Sequence, residues 1–196
     1  MRRHRLCLLA WFALALVVPG ARAGAIGAGE AAAESAQCAD AIRRAARASG
    51  VPAPLLLALA PTESGLPRAH GRGPSYPWPW TLNTNGRGSF HFRTRAAAEK
   101  HLNALVAAGI DNIDIGCMQV NWRWHGAAFA SPAAALNPTL NARYAAALLG
   151  DYRRQTGSWA DAVGLYHSHT PALAEAYRCR VAHALQPKAT LKDCAP

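Results

Sequence analysis

Apolar and polar positions change period several times along the chain, and each change predicts an element. Leu6 to Val18 is an unbroken apolar run behind Arg2, Arg3, His4 and Arg5. From about Gln37, Ala39, Ile42, Ala46 and Val51 trace a weak helical stripe, with Gly50 ending the helix. Pro52 and Pro54 then open a second helix at its first turn, where proline costs no intrahelical bond. In it Leu56, Leu59 or Ala60, and Glu63 recur at i, i+3/i+4 and i+7, so a single face carries an apolar stripe that ends in a carboxyl. Pro61 lies inside this helix and predicts a kink, because its i−4 hydrogen bond cannot form.

Beyond Pro67 the texture changes. Trp80-Thr81-Leu82 and Ser89-Phe90-His91-Phe92 flank Asn85-Gly86-Arg87-Gly88, the pattern of two strands around a tight turn. Thr94 to Ala108 returns to helix and stops at Gly109. Ile110 to Asn121 is extended by its Ile113, Ile115 and Val120, with Gly116 permitting a close backbone approach. Asn137-Pro138 caps and opens a helix to about Thr156, Ser158 caps another through Tyr166, and Thr170-Pro171 starts a last one to about Leu185. Helices around one hairpin predict a mainly α (α+β) domain.

The first 23 residues have the form of a cleavable secretory signal: a basic start, an apolar core shorter than the roughly 20 residues a spanning helix needs, and Ala21 and Ala23 before the cut. Cys7 lies before that cut and does not suit lipid attachment. The expected organisation is therefore a leader over 1–23, a flexible Ala/Gly-rich lead-in over 24–35, one domain over 36–186 and a tail over 187–196, exported to the periplasm with no stable membrane span after cleavage. Removing Arg2, Arg3, Arg5 and Arg22 from the 21 Lys and Arg leaves 17 against 11 Asp and Glu. The surplus of arginine is scattered, without the basic block or helix of a nucleic-acid surface, and suits a polyanionic extracellular partner such as cell wall or membrane headgroups. Four cysteines remain, Cys38, Cys117, Cys179 and Cys194, an even number for an oxidising compartment. Three pairings are open; proximity favours Cys179 with Cys194, which leaves Cys38 with Cys117. No Cys/His spacing suggests zinc. His167 and His169, without a third ligand, fit structural or surface roles.

Glu63 is the residue with the clearest chemical potential. A carboxyl set against an apolar surface loses hydration in its charged form, so its pKa rises and it can carry a proton near neutral pH. Tyr76, Trp78 and Trp80, spaced by two, form an aromatic run suited either to stacking on sugar faces or to packing the hairpin onto the helices. Asp111, Asp114, Gln119 and Asn121 place polar groups where a core strand has no use for them.

Taken in order, Glu63-Ser64-Gly65, Gly116-Cys117-Met118-Gln119, Asn137-Pro138 with Asn141, and Tyr166-His167-Ser168 resemble the motifs of the soluble lytic transglycosylase catalytic domain, a relative of goose-type lysozyme. The resemblance covers about Ala36 to Leu185. It implies an α-rich lysozyme-like fold with a small β-hairpin insertion, a groove, and peptidoglycan glycan strands as substrate. It further implies that Glu63 protonates the bond between N-acetylmuramic acid and N-acetylglucosamine, and then takes the proton from the muramoyl C6 hydroxyl as a 1,6-anhydro end closes. This chemistry needs no metal or cofactor, and no second carboxylate of the kind most glycoside hydrolases use. The resemblance assigns Ser64 a hydrogen bond in the site, Gln119 a place facing the groove, Met118, counted with the substrate-binding candidates, a side chain better suited to packing, and Tyr166 a hydroxyl near the carboxylate. Asn121 and Trp80 complete the substrate-binding candidates. His167 departs from the more usual asparagine, and Pro61 from a helix-compatible residue. Some relatives of this size locally open the wall for secretion, conjugation or flagellar machines, and no residue here names one. Two other functions stay open: a hydrolytic muramidase with Asp111 or Asp114 as second carboxylate, and a non-catalytic wall-binding module.

Overall fold

The central helix is apolar on every side. In the computed structural model, which describes residues 28–66, 76–84 and 88–186, the helix α2 (Ala53–Ser64) buries Leu55, Leu56, Ala58, Leu59 and Ala60 together. The single apolar face expected from the Leu56/Glu63 spacing is thus too narrow a reading. Packed by the long first helix α1 (Ala28–Ser49) on one side and the last helix on another, the helix turns only a narrow side outward, and that side too is apolar, with Pro54 exposed and Leu57 and Pro61 half-buried. Pro61 sits within α2 and the helix runs on to Ser64. Thr62 Oγ1 donates to the Ala58 carbonyl at 3.0 Å, and Ser64 Oγ reaches the Ala60 carbonyl at 3.1 Å.

The expected leader, the Asn85–Arg87 turn, Cys194 and the tail from residue 187 lie outside the described residues, as does the side chain of Glu63. The expected lead-in is corrected: α1 is already helical from Ala28, well before Gln37. Ala32 and Ala33 are strong helix formers. Ser35 is buried, and Glu34 accepts a hydrogen bond from Trp80 Nε1 at 3.1 Å. The start of the helix is thereby held by tertiary contact.

After α2 come two short strands, β1 (Gly65–Leu66) and β2 (Tyr76–Pro77), paired antiparallel with each other. The expected hairpin is present as β3 (Thr81–Thr84) and β4 (Gly88–His91), with Leu82 opposite Phe90. It is not isolated. After α3 (Arg95–Ala107), β5 (Ile113–Ile115) pairs with β3, and β6 (Val120–Asn121) with β5, giving an antiparallel sheet in the order β4-β3-β5-β6. A one-turn helix α4 (Trp122–His125), a 3₁₀ turn and α5 (Pro132–Ala135) lead into α6 (Pro138–Thr156), α7 (Trp159–His167) and α8 (Pro171–Leu185). Their starts follow the sequence signals: Asn137 Oδ1 accepts from Thr139 N at 2.9 Å, and Ser158 Oγ from Asp161 N at 3.3 Å.

Two apolar clusters result. One joins α1, α2, α6, α7 and α8 through Ile42, Leu56, Leu59, Leu149, Val163 and Tyr177. The other fills the space between sheet, α3 and α5 with Trp78, Leu82, Leu102, Ile113, Ile115 and Leu136. Cys117 and Met118 lie in the β5–β6 turn yet pack in the helical cluster, and the Cys38–Cys117 disulfide fixes that turn to α1. This is the pairing that proximity left for Cys38. Cys179 is also disulfide-bonded. Among the described residues no helix is long and apolar enough to cross a membrane.

Candidate active-site groove

A groove of about 850 Å³ runs between the sheet with α4 on one side and α6, α7 and the start of α8 on the other. Gln119 in its wall ends the buried turn from Gly116 to Gln119, and three distant parts of the chain converge on the backbone of that turn. Ser64 Oγ donates to the Cys117 carbonyl at 2.8 Å, and Tyr166 Oη to the Met118 carbonyl at 2.7 Å. Asn141, fully buried on α6, accepts from Met118 N at 2.8 Å and donates to the carbonyls of Ile115 at 2.8 Å and Ala135 at 3.0 Å. The close approach that Gly116 permits is to this asparagine. With φ at +76°, Gly116 leaves no room for a Cβ, which would stand 3.1 Å from Asn141 Nδ2.

Gln119 holds a left-handed backbone, φ +47°, unusual for a residue with a side chain. Its Nε2 donates to the carbonyls of Gly116 at 2.9 Å and Thr81 at 3.3 Å. The side chain is 8% exposed and lines the groove, and its Oε1 has no hydrogen-bond partner among the described residues. A buried amide oxygen without a donor costs free energy of about 1–3 kcal/mol. A groove ligand carrying an N–H or O–H would relieve it.

The other candidates divide. Tyr166 and Asn121 line the groove. Asn121 caps α4 through Oδ1, and its Nδ2 donates to Asn112 Oδ1 and Asp114 Oδ1, both at 2.8 Å. Ser64 is only 1% exposed; its hydroxyl also accepts from Trp78 N at 3.3 Å. It positions the end of α2 and is too deep to touch a substrate. Met118 is likewise fully buried and packs in the core. Trp80 is corrected as well: it is 5% exposed with its N–H held by Glu34, so it has no face to offer a sugar. The hairpin aromatics pack the sheet onto the helices.

Asp114 lines the groove, and burial raises its carboxyl above the usual range against the opposing Asn121 hydrogen bond. Asp111 is exposed, and its hydrogen bond to Arg123 holds it below that range. His125 and His167 also face the groove, and burial lowers both imidazoles, with the Arg180 charge adding to the effect at His167. His167 stacks on Tyr177 at 4.4 Å between ring centres, and His169 meets Tyr152 edge-on at 6.0 Å, while both residues keep an exposed side in the groove.

Sequence reasoning missed Trp124, which stands 74% exposed in the groove. The signal was the spacing of Trp122 and Trp124 on one short helix, two residues apart and so on different faces.

Among curated proteins and among solved structures, none matches the chain. Residues 40–180 match the family described as Transglycosylase SLT domain. That span contains Glu63, the Gly116–Gln119 turn, Asn141 and Tyr166, and the mainly helical lysozyme-like architecture with its small antiparallel sheet agrees with it. The chain therefore belongs to the transglycosylase SLT domain family, whose substrate is peptidoglycan.

Proposed function

We propose that the protein is a peptidoglycan lytic transglycosylase. Glu63, acting as an acid, gives its proton to the glycosidic oxygen between N-acetylmuramic acid and N-acetylglucosamine as the bond from C1 breaks. As a carboxylate it then takes the proton of the muramoyl C6 hydroxyl while O6 closes on C1. One carboxyl is returned to its starting state, and the ends formed are a 1,6-anhydromuramoyl residue and a free glucosamine 4-hydroxyl. Positioned proton transfer of this kind contributes roughly 10²–10⁴-fold to a rate.

The observation that carries the proposal is the convergence on the Cys117–Met118 backbone. Ser64, which follows Glu63 directly, binds one carbonyl of that turn, and Tyr166 binds the next. These bonds support a place for the Glu63 backbone beside the turn that ends at Gln119, whose Oε1, without a partner among the described residues, suits an acetamido N–H or a sugar hydroxyl. The Cys38–Cys117 bridge and the oxidised Cys179 support an exported protein working in an oxidising compartment, with the leader over 1–23 as its export signal.

Purified peptidoglycan digested with the protein should yield muropeptide ends lighter by one water than reducing muramic ends, and Glu63→Gln should yield none. Reducing ends from the wild type would instead establish a muramidase. Asp114 favours that second reading, since among the described residues it is the carboxyl that lines the groove. A folded protein that releases nothing would be a wall-binding module.

A further inference from the structure

Helix α4 has four residues, and three of their side chains are engaged. The Trp122 indole lies against Gly126, where a Cβ would come within 2.8 Å of its Cδ2. Arg123 pairs with Asp111 at 2.7 Å. His125 Nδ1 meets the Tyr144 hydroxyl at 2.8 Å, and the Tyr144 ring packs between His125 and Phe129, 5.3 Å from each. The N-terminus of the helix is capped by Asn121. Trp124 alone is left over, 74% exposed and turned into the groove.

The other described tryptophans do not behave this way. Trp78 and Trp80 are buried, and Trp122 and Trp159 pack against the two apolar clusters. An indole contributes large contact area and loses little freedom when something covers it, because only two side-chain torsions are fixed. Leaving it in water on a short, pinned helix forgoes that burial, and Trp124 supplies nothing to either cluster. The groove around it is lined by the amides of Asn83, Asn112, Gln119 and Asn121, groups that pair with hydroxyls and acetamido substituents.

We infer that Trp124 is a stacking platform for an N-acetylhexosamine ring at the α4 end of the groove. The pyranose C–H face lies on the indole, and the pinning of Trp122, Arg123 and His125 keeps the platform in place before the sugar arrives. The inference deepens the proposal that the groove takes glycan strands and is independent of which end the cleavage leaves.

The test is binding of the β-1,4-linked N-acetylglucosamine tetramer, by calorimetry and intrinsic fluorescence, to wild type, Trp124→Ala and Trp124→Phe. The alanine variant should weaken Kd about tenfold, the phenylalanine variant by about threefold or less, and the Trp124-dependent part should change little with salt because the ring is neutral. On solubilised glycan strands the alanine variant's loss should fall on KM more than on kcat. Because the side chain is exposed, thermal melts of all three should coincide. Equal tetramer affinity and equal KM for wild type and Trp124→Ala would overturn the assignment, hand the indole to a protein partner and leave the transglycosylase proposal standing. Failure of that proposal has a separate signature: wild type would release no products from peptidoglycan, whatever the tetramer does.

Discussion

The hydroxyl of Ser64, next to Glu63 in the chain, donates to the carbonyl of Cys117 at 2.8 Å across 53 residues of sequence. Through that bond the end of α2 is fastened to the buried turn that leads to Gln119 in the groove wall. The same oxygen accepts from Trp78 N, so α2, the entry to the sheet and the β5–β6 turn meet at one atom. Ser64→Ala should leave a buried carbonyl and a buried N–H unsatisfied. The expected loss is about 1–3 kcal/mol in urea unfolding, together with a fall in peptidoglycan cleavage larger than the stability loss alone explains. Wild-type activity in a destabilised variant would show that this bond serves folding only.

Asn141 and Gly116 form a second lock on the turn. Asn141→Ala strands the N–H of Met118 and the carbonyls of Ile115 and Ala135, with an expected cost of about 2–4 kcal/mol. Asn141→Asp should rescue little, because two of the three bonds need the side chain as a donor. Gly116→Ala should fail for a different reason: a Cβ 3.1 Å from the Asn141 amide, on a backbone at φ +76°. Chemical denaturation of the three variants separates these outcomes.

The Cys38–Cys117 bridge closes a loop with a sequence separation of 79. Chain-entropy reasoning gives it about 4–5 kcal/mol through the unfolded state. Replacing both cysteines with alanine should lower the unfolding midpoint accordingly. It should also loosen the Gly116–Gln119 turn, read as faster amide exchange at Met118 and Gln119.

Asp114→Asn distinguishes the hydrolytic outcome from the transglycosylase one. If Glu63 alone does the chemistry, the variant should cleave within about threefold of wild type and still give anhydro ends. If Asp114 is a second catalytic carboxylate, the rate should fall by at least about 10²-fold. Burial raises the Asp114 carboxyl, so its charged form is disfavoured by the fold, and removing that charge should raise stability at neutral pH.

His125 and His167 are held below the ordinary histidine range by burial, with Arg180 contributing at His167. The unfolded chain then binds protons that the fold refuses. Their contribution to stability is complete above about pH 6.5 and is lost as pH falls below that value toward the lowered folded values. Urea unfolding at pH 7.5 and 5.5 should show the loss, and His125→Gln with His167→Gln should flatten it. An unchanged pH dependence in the double variant would assign the loss to carboxylates.

The helix starts were legible because capping is local: Thr94, Asn137-Pro138, Ser158 and Thr170-Pro171 mark the observed α3, α6, α7 and α8. The hairpin, the extended Ile113–Ile115 segment and the crowding at Gly116 were legible for the same reason, being consequences of period and of one residue's missing Cβ. The order of four short motifs pointed to the family that residues 40–180 match. What the linear pattern left undecided was which side chains face the groove and which face the core. Ser64, Met118 and Trp80 look like site residues in sequence and are buried, while Trp124 attracted no notice and stands in the open. Periodicity reports alternation within one element. Burial depends on which other element covers that face, and here the cover comes from residues far away in sequence: Glu34 over Trp80, Cys117 over Ser64, Asn141 and Tyr166 over Met118. Only packing of α1, α6 and α7 around the sheet decides those contacts, because long-range hydrogen bonds and close packing are chosen by the whole chain at once.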